Sequence, residues 1–159
     1  MKSVALAVSV ALATTLCAAL SAPSATASPY DGINLDKCWP VFENWDTANK
    51  SGAPGRRKAL KVVLTDAKAD PEIGDCFSRK IHKDLGERAK KTSAMDGWHT
   101  LLNTNTDNFD AAKDQSPDNR CPASKLIIAG WNAFYAERKD VNAIVNESAQ
   151  NKHKALCND

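Results

Sequence analysis

The sequence predicts an all-α protein, a single compact bundle of five or six helices crosslinked by two disulfides. Apolar side chains recur at steps of three and four residues over most of the chain after residue 37, which is the spacing of one face of an α-helix. No stretch alternates apolar and polar residues, with β-branched enrichment, for long enough to require a strand. Four cysteines follow the N-terminal segment, and an even number of thiols in an exported chain favours two disulfides.

The first 27 residues have the pattern of an export signal. Lys2 supplies a positive charge, and the run from Val4 to Leu20 is rich in Ala, Val and Leu. The tripeptide Ala25-Thr26-Ala27 then matches the small-x-small cleavage pattern. We therefore expect residues 1–27 to be removed and the mature protein to be secreted and extracellular.

The mature chain is expected to contain an irregular lead-in over residues 28–36 and one helical domain over residues 37–159. No stretch after the signal approaches the roughly 18 consecutive apolar residues that a membrane span requires. The chain has 21 Lys and Arg against 19 Asp and Glu residues, and the two signs alternate along it. The missing apolar run predicts that the mature chain has no membrane span. Nucleic-acid-binding proteins usually gather a basic surplus on one face, so we expect no nucleic-acid partner either.

Aromatic residues mark the first helix. Trp39, Phe42 and Trp45 recur at three-residue steps and predict a helix over residues 38–49. The Gly- and Pro-rich segment 51–55 is expected to break the chain after it.

Later helix ends follow from capping signals and from changes in polarity. Asp70 precedes Pro71, which is the order of an N-cap residue followed by proline at the first helical position. Further helices are predicted over residues 57–69, 71–91, 121–139 and 141–157. Another is expected to be capped by Thr92 or Ser93 and to carry the apolar residues from Met95 to Leu102.

The four mature cysteines are Cys38, Cys76, Cys121 and Cys157. If short loops make successive helices antiparallel, all four lie at the same end of the bundle, so the sequence leaves three pairings open. We favour Cys38 with Cys76 and Cys121 with Cys157, because each bridge would then join helices of similar length. Nested pairing, with the termini connected, is the alternative.

A polar segment between residues 103 and 119 is predicted to be a long loop or a broken helix. Counting Asn103 as position 1 of a calcium loop places oxygen-bearing side chains of Asn103, Asn105, Asp107 and Asp114 at positions 1, 3, 5 and 12. Position 1 lacks a carboxylate and position 12 has the shorter Asp, so the match is incomplete. Calcium is the one cofactor that the sequence suggests, and a polar linker is the alternative.

The same aromatic residues of the first helix are also the predicted ligand-binding residues. Trp39, Phe42 and Trp45 are expected to border a groove, because flat rings offer a large contact area with few rotamers to order. The alternative is that these rings form core, as we expect for Trp131 and Phe134.

No catalytic residue is assigned. Asp96 and His99 are spaced as a pair on a predicted helix, but no Ser or Cys nucleophile is spaced to join them. The acidic residues do not single out a pair that could flank a glycosidic bond.

Two short motifs are open to more than one interpretation. Arg56-Arg57-Lys58 is interpreted as a solvated helix face, with a phosphate or heparin patch as the alternative, and Arg56-Arg57 also matches a dibasic processing site. Asn49 and Asn146 are glycosylation acceptors only in a eukaryotic host.

These observations predict a secreted, disulfide-stabilised helical binding protein that engages a partner protein or an apolar small molecule. One alternative is a secreted hydrolase of an extracellular polymer such as a polysaccharide, using acids that the sequence does not assign. The other is a secreted toxin or effector that acts on host cells.

Overall fold

The computed structural model describes residues 30–90 and 94–158, and these residues form an all-α fold of six helices without a strand. The export signal predicted for residues 1–27 lies outside them. No helix of the described residues is long and apolar enough to cross a membrane. The helices are α1 Leu35–Lys50, α2 Gly52–Ala69, α3 Pro71–Lys90, α4 Ala94–Lys113, α5 Pro117–Glu137 and α6 Ala143–Cys157.

The two disulfides confirm the predicted pairing. Cys38 is bonded to Cys76, which joins α1 to α3, and Cys121 is bonded to Cys157, which joins α5 to α6. The Cα atoms lie 5.0 Å apart in the first pair and 4.6 Å apart in the second, which a disulfide tolerates.

The lead-in ends earlier than predicted, because α1 begins at Leu35. Asn34 is its N-cap residue, and its side-chain oxygen accepts a hydrogen bond from the backbone N–H of Lys37 at 3.3 Å. Asp36 lies in the first turn, where a negative charge interacts favourably with the helix dipole.

The break predicted over residues 51–55 is present but shorter than expected, because only Ser51 separates α1 from α2, which begins at Gly52. Gly52 adopts a φ of 71°, which lets the chain turn sharply between the two helices. Pro54 lies in the first turn of α2, where its missing N–H costs little. A Cβ at Gly55 would lie 2.6 Å from the carbonyl oxygen of Ala48, so glycine permits the close approach of α2 to the end of α1.

Helix α3 lies at the centre of the bundle and contacts α1, α2, α4 and α5. Asp70 caps it as predicted, since its carboxylate accepts a hydrogen bond from the backbone N–H of Glu72 at 3.1 Å. Close packing against α5 depends on Gly130, where a Cβ would lie 2.2 Å from the carbonyl oxygen of Ser78. The two central helices therefore meet nearly backbone to backbone.

Of the two alternatives predicted for residues 103–119, the long loop is wrong, and the segment is helix interrupted over residues 114–116. Helix α4 continues to Lys113, and only a short connection separates it from α5. Thr104, Asn105 and Asn108 are buried at helical spacing together with apolar residues, so packing outweighs their modest helix propensity. The buried face of α4 consists of Leu101, Thr104, Asn105, Asn108, Phe109, Ala111 and Ala112.

Candidate functional site

The predicted aromatic ligand site does not form. Trp45 is only 1% exposed and packs edge-on against Phe77, with ring centroids 4.8 Å apart. Phe42 is also buried, whereas Trp39 is 56% exposed. The expectation that these rings border one groove is therefore corrected: Phe42 and Trp45 are core, as Trp131 is.

Trp39 has one large apolar neighbour on the surface of its helix. Leu35 lies four residues earlier on α1, so the two side chains share a face, and both are exposed. Two side chains form a small patch, and scattered apolar residues of this kind are normal on protein surfaces.

The residues of the predicted calcium loop do not form a loop, since three of the four lie on a helix. Asn103, Asn105 and Asp107 belong to α4, and Asp114 directly follows its end. Asn105 is buried, while Asp107 lies 3.2 Å from Nη2 of Arg56. Because residues two apart point about 200° apart around a helix, these side chains do not form the turn that a calcium loop requires. No group of three or more His, Cys, Asp or Glu residues in the described parts is placed to hold a metal ion.

A cleft lined largely by polar residues lies between α2 and the start of α5, and we call it the α2–α5 cleft. It has a volume of about 520 Å³. Charged and polar side chains supply most of its lining, among them Arg57, Lys58, Lys61, Asp114, Ser116 and Asn119.

The charge of the α2–α5 cleft is predominantly positive. Arg57, Lys58 and Lys61 line it from α2, and Asp114 is the single carboxylate in the lining. Arg56 is directed elsewhere, since its guanidinium pairs with Asp107. We interpreted the basic triplet of residues 56–58 as a solvated helix face. In the structure Arg56 forms an ion pair, whereas Arg57 and Lys58 line the cleft.

Buried hydrogen bonds fix the base of this cleft. Gln115 is 6% exposed, and its Nε2 donates to the carbonyl oxygens of Arg57 at 3.0 Å and Ala111 at 2.9 Å. These bonds hold the connection between α4 and α5 against α2, so the cleft has a defined shape.

The N-terminal end of α5 opens onto the same cleft. Ser116 is the N-cap residue and makes no side-chain capping bond, and Pro117 occupies the first helical position. The positive end of the helix dipole adds to the side-chain charges there. Together, these features favour a negatively charged ligand.

A second cleft lies between the end of α4 and the last turns of α6, and we call it the α4–α6 cleft. Its volume is about 300 Å³. Three cations and one carboxylate belong to its partly apolar lining. Each of the two clefts therefore contains a single carboxylate, whereas hydrolysis of a glycosidic bond requires two. The lining consists of Phe109, Asp110, Lys113, Arg120, Lys152, Ala155 and Leu156.

A serine–histidine contact connects α5 and α6. Ser124 Oγ lies 2.9 Å from His153 Nδ1, and burial, together with the nearby Lys125, lowers the pKa of His153. Ser124 is fully buried, so its hydroxyl is not presented to a substrate. The pair acts as an interhelical hydrogen bond rather than as a nucleophile and base.

Buried ionic contacts connect other helices. Lys80 is 2% exposed, and its Nζ lies 2.6 Å from a carboxylate oxygen of Asp46 and also pairs with Asp84. Burial raises the pKa of the Asp84 carboxyl, although Lys80 acts in the opposite direction. The Asp96 side chain lies outside the described residues, so the pairing of Asp96 with His99 stays a prediction.

One feature of the sequence indicated the basic α2–α5 cleft, but the balanced charge of the whole chain made it easy to miss. Residues 51–65 contain no acidic residue, although the signs alternate elsewhere. The sequence did not show that Ser116 and Asn119 line the same cleft as Lys61. They lie more than 50 residues from Lys61 along the chain, and only the folding of the chain brings them together.

Comparisons with protein-family models, with curated proteins and with solved structures find no match to this chain.

Proposed function

We propose that this chain is a secreted binding protein and that its α2–α5 cleft binds acidic side chains of a partner protein. The observation that supports the proposal is a cleft of about 520 Å³ in which Arg57, Lys58 and Lys61 face a single carboxylate, Asp114. Complementary charge across an interface selects the partner and raises the association rate.

The arrangement of charged and apolar side chains along α2 favours a protein segment as the ligand. Lys58 and Lys61 lie one turn apart on α2, and Val62 is exposed four residues after Lys58, on the same side of the helix. A partner segment with acidic side chains and one apolar side chain would complement both properties. Three cations in the lining favour an acidic ligand over an uncharged apolar small molecule.

Two disulfides are consistent with an extracellular binding role. They crosslink α1 to α3 and α5 to α6, and a crosslinked scaffold of this kind is typical of secreted proteins. A rigid site loses little conformational entropy on binding, which benefits affinity.

The test is calorimetric titration with an octapeptide of alternating Glu and Gly, beside its Gln counterpart. We expect saturable binding of the Glu peptide, weakening as salt is raised, and little binding of the Gln peptide. The double variant Lys58→Gln/Lys61→Gln should weaken binding by about tenfold, since each rim charge contributes up to about 1 kcal/mol.

The matched control is Lys139→Gln/Lys154→Gln, which removes the same charge from residues outside the cleft lining. It should leave the affinity within about twofold of the original protein. An equal loss in both double variants would show non-specific attraction and overturn the proposal. Saturable binding of heparin without binding of the Glu peptide would also overturn it, because the partner would then be a sulfated polysaccharide.

A further inference from the structure

We propose that the α4–α6 cleft is a separate binding site for a small amphipathic anion, namely a carboxylate with a short apolar tail. Its lining combines an apolar floor with a cationic rim in a volume of about 300 Å³. This volume is at the lower end of the range for small-molecule pockets. The proposal does not depend on partner binding at the α2–α5 cleft.

The floor supplies the apolar contacts. Phe109 is a buried core residue of α4, and Leu156 of α6 packs against the core while it is partly exposed. Ala155 adds a small side chain beside Leu156. A tail of a few carbon atoms placed there is removed from water by side chains that the fold already orders.

The rim supplies the charge. Lys113, Arg120 and Lys152 come from three different helices, and Asp110 is the one carboxylate among the lining residues. Three cations and one carboxylate give the lining a net positive charge. One ligand carboxylate lowers this charge, and the site stays positive. The cations converge from α4, α5 and α6, so the surplus depends on the fold rather than on one charged segment.

Arg120 is the rim residue best placed to bind the carboxylate. Its Nε donates to the carbonyl oxygen of Gln115 at 3.3 Å, which restrains the side chain at the start of α5. The Nη groups of an arginine provide paired N–H donors with the spacing of two carboxylate oxygens. A restrained guanidinium loses less conformational freedom when it binds.

The walls of this cleft are joined by a disulfide. Arg120 directly precedes Cys121, and Ala155 and Leu156 directly precede Cys157. The bond therefore fixes the distance between the charged wall from α5 and the apolar wall from α6. Binding of the anion should depend on this bond and should be indifferent to changes in the α2–α5 cleft.

The experiment is an NMR titration of the intact, oxidised protein with hexanoate, beside hexanol and acetate at the same concentrations. We expect saturable shifts of backbone amides in residues 109–113 and 152–156 with hexanoate. Hexanol lacks the charge and acetate lacks the tail, so each should bind at least about tenfold more weakly.

Variants test the assignment of the residues. Lys152→Gln and Arg120→Gln should each weaken hexanoate binding about two- to fivefold, the effect of one partly exposed charge pair. Lys58→Gln in the other cleft removes the same charge and should change nothing. Because Arg120→Gln also alters the contact with Gln115, Lys152→Gln is the decisive variant if the Arg120 variant is unstable.

Three results would overturn the proposal. Equal affinity for hexanol and hexanoate would show an apolar patch without anion recognition, and equal affinity for acetate and hexanoate would show general anion attraction. The same loss of hexanoate affinity in Lys58→Gln and Lys152→Gln would place the ligand outside this cleft.

Discussion

The two disulfides have nearly the same loop length and very different surroundings. Cys38 and Cys76 are both fully buried, at 0% exposure, and lie in the core between α1 and α3. Cys121 and Cys157 are partly exposed, and the sulfur of Cys157 lies 3.7 Å from His153 Nδ1. The first bond is part of the hydrophobic core, whereas the second supports the walls of a surface cleft. The disulfide between Cys38 and Cys76 thus stabilises the core, whereas the disulfide between Cys121 and Cys157 shapes a candidate site.

Removal of each disulfide in turn should show this difference most strongly. The bonded residues are separated by 38 and 36 positions, so the chain-entropy contribution is the same, about 4 kcal/mol for each bond. Cys38→Ala/Cys76→Ala should cost about 1–2 kcal/mol more than Cys121→Ala/Cys157→Ala, because it also leaves a cavity in the core. Urea unfolding measures both free energies, and equal losses would contradict the comparison.

Side-chain truncation provides the next largest contrast. Trp45→Ala should lower the free energy of unfolding by about 3–5 kcal/mol, since the ring is buried against Phe77. Leu156→Ala, beside the second disulfide, should lower it by only about 1–2 kcal/mol, because this side chain is partly exposed. Trp39→Ala is the control and should stay within about 0.5 kcal/mol of the original protein. A mild Trp45 variant would mean that α1 contributes less to the core than its burial indicates.

The contrast between Trp39 and Trp45 also shows what the sequence could predict. Their spacing predicted α1 correctly, but six residues turn a helix by about 600°, so the two side chains point about 120° apart and cannot share a groove. The cap at Asp70 was predictable because capping is local chemistry. The order of the helices placed all four cysteines at one end of the bundle and left three pairings open, and the pairing that we favoured is the one in the structure.

The errors have a different origin. Asn105 and Asn108 have weak helix propensity, and only packing against the rest of the bundle keeps them in α4. Gly55 resembled a chain break because nothing local shows that Ala48 approaches it closely. Both clefts lie between residues that are distant in the chain, so the acid-free segment 51–65 could indicate one basic wall of the α2–α5 cleft but not the residues opposite it.

Reduction should separate the two disulfides by rate. Dithiothreitol must reach a sulfur atom to attack it, and only Cys121 and Cys157 are partly exposed. We expect their bond to be reduced at least about tenfold faster than the bond between Cys38 and Cys76, which requires opening of the core. Timed alkylation with iodoacetamide and peptide mass mapping measures both rates. Simultaneous labelling of all four cysteines would show that one global unfolding event exposes both bonds.

Acid should have the smallest effect, and it should act on the two regions in different pH ranges. The pKa of His153 is lowered from 6.5, first by burial and then by Lys125, so the neutral ring is favoured in the folded protein. Below pH 6.5 the unfolded state binds the proton more readily, and stability falls until the pH passes below the lowered pKa. Near the other disulfide, hydrogen bonding to Lys37 lowers the pKa of Asp70 from 3.8, so its contribution is present above pH 3.8 and is lost below it. Urea unfolding from pH 7.5 to pH 3 should show His153→Gln removing part of the upper slope and Asp70→Asn removing part of the lower one. If His153→Gln left the upper slope unchanged, the region of the second disulfide would have no proton-sensitive contact at this histidine.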